Sequence, residues 1–214
     1  MSTAALDGLI PDTRQFLGEL AENNTRDWFL AHKETYDKAL KAPALELLDK
    51  VAAHLQKQTG QVPTTKLFRP NRDVRFSKDK TPYHLHLHMS WSTAPTGWFF
   101  GIGQDYISAG AGIMGFDKDM LTRWRAAVDG PKGEEIAAEV DRLLGWGARL
   151  DEPALKRVPA PYGKDHPQEA LLRRKGLAMW FEVTEEEASK GDLVSEIASA
   201  FHTFDPLNRI LFEI

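Results

Sequence analysis

The chain has 214 residues, of which 42% are apolar and 27% charged, which is ordinary globular composition and enough length to bury a sizeable core. It contains no Cys, so disulfides, thiolate metal ligands and thiol catalysis are excluded. A net charge of −4 argues against a broad basic face; Met1–Gln15 lacks the pattern of a signal peptide and no apolar run approaches a bilayer span, so a soluble, cytoplasmic protein without membrane contact is expected.

Ile10, Phe16, Leu17 and Leu20 share one face of a helix that begins near Pro11–Thr13 and stops at Asn23-Asn24. Thr25 is placed to cap the next helix, with Trp28 and Phe29 inward. Tyr36 and Leu40 extend that stripe until Pro43 interrupts it. Leu45, Leu48, Val51, Ala52 and Leu55 then form a helical face ending near Gly60. Beyond Gly60 the pattern changes: Lys66–Pro70, Tyr83–Ser92, Trp98–Ile107 and Ser108–Phe116 read as strands divided by turn residues. Strands in succession, without intervening helices, predict an antiparallel sheet and therefore an α+β fold. Asp117 is placed to cap a helix carrying Met120, Leu121, Trp124 and Val128, and Glu134–Leu144 forms another after Gly130-Pro131. Pro167–Lys175 reads as a short helix, Gly176–Val183 as a strand returning to the sheet, Leu193–Phe204 as a helix, and Pro206–Ile214 as a last helical turn or two. With no repeat, low-complexity tract or linker, the expectation is a single domain over 1–214: N-terminal helices, a central antiparallel sheet and further helices toward the C-terminus.

The chemistry concentrates at Lys66–His88. Over Lys66–Lys80 the cations Lys66, Arg69, Arg72, Arg75, Lys78 and Lys80 stand against Asp73 and Asp79 alone, a local positive surplus in a negatively charged chain. Guanidinium forks among Pro70, Asn71 and Pro82 suit carboxylates or phosphates. Two readings follow. In one, the segment is an anion pocket in which a loop aims Arg69, Arg72 or Arg75 at one ligand, Asp73 orients a guanidinium and Tyr83 adds a hydroxyl, with Lys78, Asp79 and Lys80 completing the set. In the other, Asp73 and Asp79 accept bidentate bonds from the arginines and pin the loop over the sheet. A second basic run, Lys156–Lys175, holds Lys156, Arg157, Lys164, Arg173, Arg174 and Lys175 against Asp165 and Glu169. If the two loops meet, Lys164 and His166 join the arginines in one electropositive cleft.

His84, His86 and His88 alternate with leucines, so on a strand they share one face. Such imidazoles are candidates for a divalent metal, and the bland alternative is a half-exposed strand with its leucines inward. Gly110-Ala-Gly112-Ile-Met-Gly115 matches the dinucleotide fingerprint in letters, yet the cap at Asp117 follows the third glycine and no βαβ unit surrounds it. A bulged or tightly turned strand is the simpler expectation. Asp165-His166 reads as a helix cap before it reads as an acid/base pair, and Ser77 and Ser108 lack a nucleophile elbow.

The spacing Arg69-x-x-Arg72-Asp73-x-Arg75-Phe76-x-x-Asp79-Lys80-x-x-Tyr83 resembles the hallmark of a bacterial family, also found in some fungi, called domain of unknown function 2461. Phe16–Phe29 resembles the opening of that family and Arg157–Lys175 its Pro-Gly-Lys-Asp-His-Pro segment, so the resemblance runs from about Phe16 to the C-terminus. His84 departs from the pattern, where Lys is usual after the Tyr, which weakens the case for a metal shared by the family. The resemblance implies membership; it implies no activity and no cofactor, and it leaves open whether the protein is an enzyme. The functional expectation rests on the residues: a phosphate- or carboxylate-bearing small molecule in an Arg-rich cleft. Were there hydrolase or transferase chemistry, the arginines would stabilise developing negative charge, and Asp73, Asp79 or a histidine would carry the proton. The alternatives are nucleic-acid binding through the two basic loops, aided by Phe68, Phe76, Tyr83 and Tyr162, and a non-catalytic interaction module in which the Arg/Asp cluster is a structural salt-bridge network.

Overall fold

The structure, a computed structural model, describes residues 6–184 and 192–214. Helix α1 (Leu9–Glu22) buries Leu9, Ile10, Phe16, Leu17 and Leu20 and ends where Asn23 turns its side-chain amide back to the carbonyl of Glu19. Thr25 is extended and its hydroxyl accepts from the Trp28 amide at 3.3 Å, which starts helix α2 (Arg26–Ala31) as expected. Pro43, by contrast, does not interrupt the helical run. After Lys33–Thr35 the chain widens into one π-helical turn, Tyr36–Lys41, in which the Ala42 amide reaches back five residues to the Asp37 carbonyl. Helix α3 (Ala42–Thr59) follows directly, with Pro43 in its first turn. A proline lacks the amide an α-turn needs and crowds the carbonyl four residues back; a wider turn just before it relieves both demands. Helix α3 buries Ala44, Leu47, Leu48, Val51 and Leu55 and stops at Gly60, whose φ of 73° is left-handed. Leu45, expected on that buried face, is instead exposed.

Six strands form one antiparallel sheet: β1 (Thr64–Leu67), β2 (His86–Thr93), β3 (Thr96–Gly103), β4 (Ile107–Ile113), β5 (Arg149–Leu150) and β6 (Leu177–Glu182), in the spatial order β1-β2-β3-β4-β6-β5. The α+β expectation therefore holds. Strand β1 begins two residues earlier than its sequence pattern suggests and pairs Leu67 with Met89 and Lys66 with Ser90. Along β2, Leu87, Met89 and Trp91 are buried while His86, His88 and Ser90 are half-exposed, and the buried Trp91 indole donates to the Leu48 carbonyl at 2.8 Å. The fingerprint glycines sit on and beyond β4. A Cβ at Gly112, whose φ is 129°, would lie 2.1 Å from the Leu177 carbonyl oxygen, and one at Gly110 would lie 2.6 Å from that of Met179. They let backbone approach backbone, as a strand irregularity does, and hold no phosphate loop. Strand β5 has only two residues, too few to show a period.

Helix α4 (Lys118–Asp129) is capped by Asp117, whose carboxylate accepts from the Met120 amide at 2.8 Å, and it buries Met120, Trp124 and Val128. Helix α5 (Lys132–Gly145) follows the Gly130-Pro131 break. Helix α6 (Glu169–Leu172) is shorter than the expected Pro167–Lys175, and α7 (Leu193–His202) and α8 (Asp205–Phe212) complete the chain. The described residues group into two compact units, 6–93 with Phe99–Ala109, 182–184 and 192–199, and Ala94–Trp98 with Gly110–Phe181 and Ala200–Ile214. Among the described residues no helix is long and apolar enough to cross a membrane.

Candidate functional site

The Lys66–His88 segment lies in the first unit and is built as an extension of the β1–β2 pair. The Phe68 amide donates to the His88 carbonyl at 2.9 Å, that of His84 to Pro70 at 2.8 Å and that of Arg72 to Pro82 at 2.8 Å, with Asn71 bridging Tyr83. Tyr83 fixes the root of the loop. Its amide and carbonyl are both met by the side chain of Asn24, at 3.1 and 3.0 Å, and its ring is buried in a 4.1 Å stack on Phe29. The hydroxyl expected to reach an anion beside the arginines thus belongs to an anchoring residue.

Two of the three arginines are spent inside the loop. Arg72 Nη1 donates to the Asp79 carboxylate at 2.5 Å, to the Thr81 carbonyl at 3.1 Å and to the Thr81 hydroxyl. The Asp79 carboxyl is held down to about 2, first by the Thr81 amide, then by Arg72 and the Thr81 hydroxyl. Arg75 grips Asp73 with both arms, Nε to Oδ1 at 2.9 Å and Nη2 to Oδ2 at 2.7 Å, and these bonds, with the Arg75 amide, hold the Asp73 carboxyl below its usual range. Lys80 donates to the Val74 carbonyl at 2.9 Å. Lys78 is exposed and has no side-chain partner among the described residues. The network leaves Phe76 at the tip of the loop, 95% exposed.

Arg69 faces elsewhere. It lines a pocket of about 580 Å³ within the first unit, one wall of which is the unbroken run 65–71. The facing wall is Phe29, Lys33, Tyr36, Asp37, Lys41 and Leu45, drawn from α2, the short Lys33–Thr35 turn, the π-helical turn and α3. Asp37 is paired with Lys33. Lys41, Lys66 and Arg69 make no ion pair and no side-chain hydrogen bond among the described residues; Lys66 rests over the Phe68 ring at 4.5 Å. Two of them act on acidic neighbours without a direct pair: the Asp37 carboxyl is held below its usual range by the Lys33 hydrogen bond first and by the Lys33 and Lys41 charges after it, and Arg69 adds to what Arg75 does at Asp73. The Tyr36 hydroxyl is pushed up to about 12, by burial first and by Asp37 second, so it stays protonated and is a donor. Sequence reading missed this wall. Lys33, Asp37 and Lys41 are four residues apart, the spacing of an exposed salt-bridged helix face, and Tyr36 counted as core; the π-helical turn brings Tyr36, Asp37 and Lys41 to one pocket.

The three histidines stack instead of converging. Ring centroids are 4.6 Å apart for His84 and His86 and 3.7 Å for His86 and His88, whose planes lie within 11° of parallel. His88 Nε2 meets the Tyr106 hydroxyl at 2.7 Å, and Gly101 leaves room for its ring, because a Cβ there would come within 2.8 Å. All three are held below the ordinary histidine value, His86 and His88 down to about 4, by burial first; Arg72 and Arg69 come second for His84, and for His86 and His88 the mutual repulsion of the row, which resists protonating adjacent rings together. They are neutral at pH 7. Among the described residues no three His, Asp or Glu side chains are placed to hold a metal ion.

The second basic run lies in the second unit. His166 is a local anchor: Nδ1 accepts from the Gln168 amide at 3.0 Å, so Nε2 carries the proton toward Asp129 at 3.2 Å. Arg173 pairs with Glu169 at 2.8 Å, and the buried Arg174 donates to the Asp151 carbonyl at 2.6 Å. Lys164 is exposed.

The elements define an α+β protein with a lysine- and arginine-lined pocket beside the outer strand of its sheet. The chain belongs to the family described as Conserved hypothetical protein (DUF2461), whose model matches residues 12–209. No curated protein matches it.

Proposed function

We propose that the protein binds a small anionic ligand, bearing a carboxylate or phosphate, in the pocket of Lys41, Lys66 and Arg69. The observation that carries this reading is the contrast among the cations of one loop: Arg72 and Arg75 are paired directly with Asp79 and Asp73, whereas Arg69 makes no direct ion pair among the described residues and lines a pocket with Lys41 and Lys66, which make none either. Phe29, Tyr36, Leu45 and Phe68 supply apolar contact for the body of the ligand, and protonated Tyr36 a donor. Binding is favoured over catalysis, since the one titratable hydroxyl in the pocket is held protonated and Asp37 is tied to Lys33. Thermal melts across phosphate and a series of dicarboxylates test the reading. A ligand at a hundredfold excess over its dissociation constant adds about 2.7 kcal/mol of stability; the gain should vanish in Arg69→Ala and persist in Arg75→Ala. No stabilisation by any anion would sink it.

A second reading draws on Phe76, 95% exposed beside Arg75, Lys78 and Lys80: stacking of a single-stranded nucleic acid on the loop tip. Oligonucleotide binding that falls steeply with salt and is lost in Phe76→Ala would favour it.

A further inference from the structure

We infer that the ligand of this pocket is an extended acidic segment of a partner protein, which pairs with the free edge of β1 as an added strand; the inference rests on the anion-pocket reading. Strand β1 is terminal in the sheet and has β2 as its one neighbour. The bond from the Phe68 amide to the His88 carbonyl sets the phase of the antiparallel ladder. Phe68, Lys66 and Thr64 turn their amides and carbonyls to β2, so Thr65, Leu67 and Arg69 present theirs to the open side. There the run 65–71 forms one wall of the pocket; its first three residues belong to β1, roughly 10 Å at the rise of a strand, and the chain bends at Pro70. The π-helical turn and the start of α3 form the other wall. A groove between an unpaired strand edge and a helix is the geometry in which an extended peptide adds a strand, its main chain supplying affinity and its alternate side chains specificity.

Charge selects the occupant. Lys66 shares the strand face of Ser90, and Arg69, three residues on, takes the opposite face. Neither they nor Lys41 across the groove makes an ion pair among the described residues, and they fit aspartate or glutamate side chains on both faces of the added strand, while Leu45, Leu67 and Phe68 accept apolar residues between them. A lysine on an edge strand guards against self-pairing, and that explains Lys66 by itself. It does not explain Arg69, nor Lys41 on the opposite wall. The same three cations repel a second copy of β1.

The test uses the full chain and short fluorescent peptides of repeating Glu-Glu-Val-Val, which carry Glu on both strand faces, with blocked ends. The acidic peptide should bind, its Gln-for-Glu analogue at least tenfold more weakly. N-methylation at every second residue should weaken binding at least tenfold in one register and leave it unchanged in the other, because half of the amides face β1. Lys66→Glu and Arg69→Glu should each lose binding and gain it for a Lys-Lys-Val-Val peptide, which keeps the test valid should either variant be less stable. Equal tolerance of N-methylation in both registers overturns strand addition. So does binding of the small dicarboxylates, lost in Arg69→Ala, with no peptide binding, in which case the anion pocket stands. Binding confined to peptides with a free C-terminal carboxylate overturns the internal segment, and no binding of any anion removes both readings.

Discussion

Arg72 and Arg75 are three residues apart in one loop and both meet an aspartate, yet they differ in what surrounds them. Arg72 is 23% exposed and serves Asp79 and both oxygens of Thr81, whereas Arg75 is 77% exposed and serves Asp73, with the Phe76 ring 5.9 Å away. An exposed pair contributes little. Arg72→Ala should therefore lower the melting midpoint by about 2–4 °C and Arg75→Ala by less than about 1 °C; equal losses would show that the network acts as one unit. The histidine row predicts a pH dependence. His86 and His88 have folded values of about 4 against 6.5, so below pH 6.5 the unfolded chain takes up protons that the fold refuses. Stability should fall as pH drops from 6.5 toward 4, with His84, Arg69, Arg72 and Tyr106 around the row. Urea midpoints at pH 7 and pH 5 should lie closer together in His86→Asn than in wild type. Asp79 acts lower down: its contribution is complete above pH 3.8 and is lost as pH falls through about 2.

At the scale of elements, what could be read from the sequence was what depends on neighbours along the chain. Thr25 and Asp117 cap the helices their positions suggest, because a cap acts within three residues; Thr25→Ala should cost about 1 kcal/mol in denaturant unfolding. The succession of strands gave the antiparallel sheet. The Arg–Asp pairs of the Arg72–Asp79 loop were legible as one of two readings for the same reason. Tyr83 was not, since Phe29 and Asn24, which bury it, are more than fifty residues away. Nor was the π-helical turn: one extra residue in a turn leaves the apolar period nearly intact and moves Lys41 from a solvated helix face to a pocket wall. Glycine substitution separates the two meanings of the Gly110–Gly115 run. Gly112→Ala meets a backbone carbonyl at 2.1 Å and an unfavourable φ, and should cost about 3 kcal/mol or more. Gly115→Ala meets nothing within 4 Å and should be near neutral. A phosphate loop would leave both variants stable and cost ligand binding instead.

Over the whole molecule the charge is unevenly placed: a chain of net charge −4 keeps three unpaired cations around one pocket. An open pocket is screened over about 8 Å at physiological ionic strength, so affinity for an anion should weaken as salt rises. The most direct measurement is calorimetric titration of phosphate and dicarboxylates into three folded proteins: wild type, Arg72→Ala, and the double variant Lys41→Ala/Arg69→Ala. Binding by wild type and Arg72→Ala, absent in the double variant, is the predicted result. Binding lost in Arg72→Ala and retained in the double variant would put the site in the Arg/Asp loop and contradict the pocket.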